Sequence, residues 1–238
     1  MKNIAPAMML IAILAGGCVC PRHTAASHAE SSTKPSIVRE DIEWSRAWVP
    51  GINHTDKPHI LLIGDSITEA YSSVVEKQFD GTAYVARLCT SKSLGDPAYL
   101  QEVELVLGNT SFQIIHFNNG MHGGGYSEEG YRRDYTRLIA ILKKCASEAK
   151  LICATTTAKR VSNHLDQFDV FNDRIKVRNA IAREAASRAG IPVNDLFALV
   201  ENKPSFYSND GTHANGNGVE AEGRQVAESI QAVLITKH

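Results

Sequence analysis

Ser66 follows Gly64 and Asp65 where a short apolar run, His59-Ile60-Leu61-Leu62-Ile63, stops abruptly. A hydroxyl between a strand end and a helix start meets free backbone N–H groups, because the first helical turn leaves its donors unpaired. So placed, it can attack a carbonyl while neighbouring amides receive the negative charge that develops. Near the C-terminus stands Asp210-Gly211-Thr212-His213, in a stretch too rich in Gly and Asn to be regular. A carboxylate three residues before an imidazole can fold back and accept its Nδ1–H. That fixes the tautomer and leaves Nε2 free to take a proton from a hydroxyl. Each string alone has a plainer meaning: a turn with a capping serine for the first, a solvated turn or half of a metal site for the second. Together they supply a nucleophile (Ser66), a base (His213) and the group that orients the base (Asp210).

The two strings can meet only if the chain between them brings the ends of different strands to one edge. The run 59–63 lacks the alternation of a half-exposed strand and reads as buried on both faces, as in a parallel sheet. A helix is expected over 67–79, a second strand over 82–87, and a helix from 96–97 to about 107, with Pro97 at an early helical position. A third strand follows at 112–117. The long helix over 128–149 carries Tyr131, Tyr135, Leu138, Ile139 and Leu142 on one face. A fourth strand at 151–156, a helix over 169–189 stopped by Gly190, a fifth strand at 191–196 and a closing helix over 218–235 complete the order. Strands alternating with helices imply an α/β domain with a five-stranded parallel sheet covered on both faces. Loops that follow the strands of such a sheet lie along one edge, where ligands bind. Trp44 and Trp48, four apart on a short helix within 42–50, are expected to pack against the sheet edge. His116, inside the third strand, reads as a core histidine, and Asp65 as a brace for the neighbouring loops.

The 238 residues suit one such domain plus an export segment. Apolar content of 43% supports a core, and a net charge of −1 without any basic block points away from a nucleic-acid partner. Lys2 precedes an apolar run over 4–14, followed by Ala15-Gly16-Gly17-Cys18, the pattern of a bacterial secretion signal. Residues 1–20 are read as a signal peptide or lipoprotein leader, 21–36 as a flexible tether and 37–238 as the domain. Two outcomes stay open at the leader: lipidation of Cys18, a weak membrane tether, or cleavage within 23–29. Either makes the protein exported, whether periplasmic, secreted or lipid-anchored to the cell envelope. Cys89, Cys145 and Cys153 show no metal-site spacing and are expected as buried free thiols, with a disulfide between two of the three as the alternative.

Gly64-Asp65-Ser66 after a buried strand, and Asp210-Gly211-Thr212-His213 before the last helix, together resemble the first and last sequence blocks of the SGNH (GDSL-type) hydrolases. The resemblance runs from about Pro58 to Ile235, with the same order and number of elements. It implies a flavodoxin-like three-layer α/β/α sandwich. It also implies ester hydrolysis through an acyl-enzyme, with Ser66, Asp210 and His213 as the triad and neither metal nor organic cofactor. The middle blocks depart from the family pattern. The family has a Gly in the loop after the second strand whose N–H joins that of the nucleophile, here Ser66, in holding the oxyanion. That position falls near Ser91, with Gly95 as the alternative. After the third strand the family has Gly-x-Asn-Asp, whose Asn is another donor, and this chain has Phe117-Asn118-Asn119-Gly120-Met121-His122-Gly123. Alignment on Gly120 gives the role to His122 through a ring N–H; earlier alignments give it to Asn119 or Asn118. The expected substrate is a small-molecule or glycan ester with a short acyl group such as acetyl. Three alternatives stand beside it: a lysophospholipase- or thioesterase-like acylhydrolase, a glycan-binding lipoprotein of the same fold without turnover, and a metal-dependent phosphodiesterase built on Asp65, Asp210 and His213. The oligomeric state is not legible.

A histidine base works only when neutral, so ester turnover is expected to rise through roughly pH 6 to 7.5. A pH–rate profile flat down to about pH 4 would remove His213 from that role.

Overall fold

The computed structural model describes residues 37–235; the leader, Cys18 and the tether lie outside the described residues. Its elements are β1 (Ser45–Trp48), β2 (His59–Gly64), α1 (Ser66–Gln78), β3 (Tyr84–Thr90), α2 (Pro97–Leu107), β4 (Ile114–Phe117) and α3 (Glu128–Cys145). There follow β5 (Lys150–Ala154), β6 (Arg160–Val161), β7 (His164–Phe168), α4 (Phe171–Ala189), β8 (Val193–Asn194), α5 (Leu196–Val200) and α6 (Gly216–Ile235). The main sheet runs β1-β3-β2-β4-β5-β8.

At its centre β2 is buried along its whole length between parallel neighbours β3 and β4. Successive side chains of a strand point to opposite faces. Leu61 and Ile63 therefore join Tyr99, Val103, Leu138 and Ile181 of α2, α3 and α4 on one side. Ile60 and Leu62 join Tyr71, Val75, Val226 and Ile230 of α1 and α6 on the other. The result is a three-layer α/β/α sandwich, as the alternating pattern predicts. Each of these four β2 side chains contributes roughly 1.5–3 kcal/mol by leaving water, so the strand that carries Ser66 at its exit is firmly anchored.

The sheet differs from the expectation of five parallel strands. It has six, and β1 lies antiparallel on the outer edge of β3, pairing Ser45 with Thr90 and Trp48 with Arg87. The tryptophan spacing that reads as a helix belongs instead to an edge strand. The backbone around Trp44 completes the ladder, its carbonyl accepting from Ser91 N at 3.1 Å. Trp48 is exposed and lies against the Arg87 guanidinium. A second sheet, the hairpin of β6 and β7, projects between β5 and α4 and has no counterpart in the hydrophobic pattern. The helix expected to reach 149 ends at Cys145, and that thiol is exposed rather than buried; Cys89 and Cys153 are buried and free. His116 is fully buried, accepts from Asn194 Nδ2 at its Nε2 (3.1 Å) and is pushed down to about 3 by burial, so it stays neutral. Among the described residues no helix is long and apolar enough to cross a membrane.

One buried charge site on α6 has a stability signature. Burial, and then the charge of Asp65, push the Glu222 carboxyl from 4.5 up to about 8. Between those two values the unfolded chain releases this proton while the folded chain keeps it, so the unfolded state gains progressively as pH rises. Glu222→Gln should accordingly leave the melting temperature near pH 4 almost unchanged, raise it increasingly up to about pH 8, and raise it by a constant amount above. Thermal melts across pH 4 to 9 check this, and an equal shift at all pH values would contradict it.

Candidate active site

Ser66 opens α1 because Asp65 caps it. The buried Asp65 carboxylate accepts from Ile67 N at 2.9 Å, which satisfies one of the unpaired donors of the first turn. Asp65 is thus spent as a cap. The Ser66 hydroxyl, half-buried at the carboxyl edge of the sheet, lies 2.8 Å from Nε2 of His213. His213 Nδ1 lies 2.7 Å from Asp210 Oδ2. The other Asp210 oxygen accepts from the amides of Thr212 (2.8 Å) and His213 (2.9 Å). Partial burial pushes this carboxyl up, but the His213 side chain and the two amides outweigh it and hold it below the usual carboxylate range. A carboxylate that only accepts requires the proton on Nδ1, leaving the Nε2 lone pair aimed at the serine. The arrangement can draw a proton off a hydroxyl 147 residues away in sequence.

The loop bearing this pair is braced from behind by the hairpin. Arg160 N donates to Gly211 O at 2.7 Å, and Asn163 N to Asn209 O at 2.8 Å. Gly211 has φ +72°, and a Cβ there would sit 2.2 Å from the Arg160 carbonyl oxygen, so only glycine fits between Asp210 and His213. The Tyr207 hydroxyl donates to Ala158 O at 2.8 Å, closing the same contact from the other end. Buried Arg160 holds the hairpin through Leu165 O (2.7 Å) and Glu201 O, its guanidinium lying over Phe168 and Tyr207.

On the opposite flank a strap, residues 37–44, crosses the loops that follow β3 and β4. Val38 N donates to the Tyr126 hydroxyl (2.9 Å) and Arg39 pairs with Asp96 (2.6 Å). Glu43 accepts from the Ser91 hydroxyl (2.7 Å), and Arg46 beyond the strap pairs with Glu69 (2.6 Å), one turn after Ser66. The Ser91 amide, expected as an oxyanion donor, is corrected by this strap: its single N–H is committed to Trp44 O. Gly95, the alternative, sits with its Cα against the Tyr126 ring. Asn118 spends both Nδ2 hydrogens, on Ala154 O (2.9 Å) and Thr156 Oγ1 (3.1 Å), and serves the strand ends. Asn119 spends one on Lys92 O (3.0 Å), and its side chain also faces the buried Tyr99 hydroxyl. His122 Nδ1 lies 2.9 Å from Glu40 Oε1, and its Nε2 is buried without a hydrogen-bond partner among the described residues. His122 and Asn119 therefore both stand beside the site as candidate side-chain donors.

Sequence reasoning missed three supports of this site: Glu40, the hairpin around Arg160, and Arg178 on α4, which binds the loop after β4. Charged residues on a strap or a helix carry no periodicity signal, and only their partners reveal them.

No family model and no curated protein matches the sequence. The fold is shared with solved structures. One described as an acylhydrolase of Bacteroides fragilis is 17% identical, with a TM-score of 0.61 over 77% of this chain and 93% of that one. One described as an SGNH hydrolase of Slackia heliotrinireducens is 20% identical, with a TM-score of 0.58 over 74% and 100% of the two chains. An acetyl xylan esterase is 18% identical, with a TM-score of 0.58 over 72% and 99%.

Gly211→Ala should push the Asp210 loop off the Arg160 carbonyl and slow phosphonylation of Ser66 by a fluorophosphonate by about tenfold or more, since displacements near 1 Å are that costly. Labelling rates read by mass spectrometry check it, with a melt to confirm folding; an unchanged rate would mean the hairpin contact does not set the geometry.

Proposed function

We propose that this chain is an SGNH (GDSL-type) hydrolase, a serine esterase that removes a short acyl group, acetyl in the first instance, from a carbohydrate. The observation that carries the reading is the continuous chain from Ser66 Oγ through His213 to Asp210, at 2.8 and 2.7 Å, on a fold shared with esterases.

In this mechanism His213 Nε2 takes the Ser66 proton as Oγ attacks the ester carbonyl. The developing oxyanion is held by the Ser66 amide, which has no acceptor within α1, and by a side-chain N–H of the loop after β4, from Asn119 or His122. His213 then gives the proton to the departing alcohol, and the same nitrogen activates water to release the acyl group from Ser66. Asp210 holds the ring and offsets the charge on the imidazolium.

The space around the site supports a short acyl group. Behind the nucleophile lies a cavity of about 10 Å³ lined by Asp65, Thr68, Tyr71, Asn118 and Thr156, which is room for one water. The cavity of about 740 Å³ lies at the other edge of the sheet, between Lys143, Leu151, Ile191 and Val233. Strap and loops close the flank remote from His213, whereas the Asp210 and His213 side chains are about half exposed (51% and 44%). That exposure next to the base supports a leaving alcohol as large as a sugar. The secretion-signal pattern of residues 1–20 suits a glycan ester outside the cytoplasm.

The test compares nitrophenyl acetate with long-chain nitrophenyl esters. Acetate should be turned over faster, Ser66→Ala should lose roughly three or more orders of magnitude, and a fluorophosphonate should label Ser66 alone. Preference for the long chain would favour the lysophospholipase-type reading. Absence of both turnover and labelling would leave a glycan-binding protein.

A further inference from the structure

We infer that Arg178 is a positioning residue for this chemistry: one buried guanidinium on α4 gathers the carbonyls of the loop after β4 and thereby sets where Asn119 and His122 present their side chains. The inference rests on the esterase reading of the site. Arg178 is 1% exposed. Its Nη1 donates to Gly120 O (3.0 Å) and His122 O (2.5 Å), its Nη2 to Gly123 O (2.9 Å), and its Nε to the Glu128 carboxylate (3.0 Å). The guanidinium lies 4.9 Å from the centre of the Tyr131 ring. The Tyr131 hydroxyl in turn donates to the carbonyl of Asn119 itself. Four carbonyls in the five residues 119–123 are thus drawn to one side. A trans peptide sets N–H opposite C=O, so the amides of Met121, Gly123 and Gly124 are turned away from Arg178 on α4, and that of Gly120 away from the Tyr131 hydroxyl on α3. The conformation of the loop is over-determined from below.

Stability alone does not call for this choice. Taking a guanidinium out of water is expensive, and well-packed apolar residues often serve a fold as well as a buried ion pair does. What an apolar residue cannot do is hold three carbonyls at fixed positions. Lysine cannot do it either, because it brings a point charge in place of a rigid fork. Arg174, one turn earlier, extends the same grip to Gly124 O, Tyr126 O and Glu128. The strap presses from above through Glu40 and His122. Asn118 N, by contrast, is fixed to Ile63 O within the sheet (2.9 Å), so mobility released by losing Arg178 would begin at residue 119.

The experiment measures kcat and KM for nitrophenyl acetate with wild type, Ser66→Ala, Arg178→Lys, Arg178→Met and Glu128→Gln, alongside thermal melts and pH–rate profiles. Arg178→Lys is expected to lower kcat about tenfold or more, with KM within about threefold and the acid limb of the profile unmoved, because the base is untouched. Arg178→Met should fall further. Glu128→Gln, which removes the charge partner of Arg178 but leaves the carbonyls in place, should lower the melting temperature while kcat per folded molecule stays within about threefold of wild type. A merely structural role would lower the melting temperature and leave kcat per folded molecule unchanged in both Arg178 variants, and that overturns the inference. Should the Arg178 variants not fold, Arg174→Lys replaces them: a drop in kcat at constant KM supports the clamp, and wild-type kcat overturns it. If wild type shows no Ser66-dependent turnover at all, the esterase reading fails first, which the Ser66→Ala comparison distinguishes.

Discussion

A hydrogen bond of 2.8 Å joins residues 147 positions apart, and the remaining structure is arranged so that neither end of it can drift. On the serine side the constraint comes from burial: β2 has neighbours on both edges and helices on both faces, and it delivers Ser66 at a capped helix start. On the histidine side no such burial exists. The loop over 208–215 is largely polar, and it is held by backbone hydrogen bonds to a hairpin and by its own Ser208 N to His213 O contact at 2.8 Å. One partner is fixed by the hydrophobic effect and the other by directional bonds. The two forces meet in a contact with a tolerance of a few tenths of an ångström.

The charges divide in the same way. Asp210 and His213 are about half exposed, so their pairing adds little to folding stability and its value is orientation. Arg178, Arg160 and Glu222 are buried, where an uncompensated charge is heavily penalised. The two arginines offset that penalty by binding carbonyls of loops that flank the site. Glu222 has no such partners and keeps its proton instead. The polar interior of this protein is concentrated beneath the carboxyl edge of the sheet, where rigidity matters for chemistry.

Much of this was legible in the residue order. The continuous apolar run at 60–63, and the helical period of Tyr131, Tyr135, Leu138 and Leu142, point to a covered parallel sheet because burial on two faces leaves no alternation. Ser66, Asp210 and His213 stood out because two short polar strings fell where strand-following loops must gather. The rest depended on contacts that no local pattern encodes. Trp44 and Trp48 have helical spacing, yet the open edge of β3 recruits them into a strand. His164-Leu165-Asp166-Gln167-Phe168 is mostly exposed in β7, so nothing apolar announces the hairpin that supports Gly211. Ser91 looked available because its amide follows a strand; only the antiparallel neighbour shows that it is occupied.

That neighbour has a consequence beyond the site. β3 is seven residues long and almost wholly buried, and β1 covers its outer side. A polypeptide beginning after Trp48 would retain the nucleophile and its base but present a bare row of amides and carbonyls along β3, an invitation to intermolecular pairing and aggregation. This short edge strand is in that sense a safeguard of the sheet, and trimming it away would expose an edge that other chains can extend.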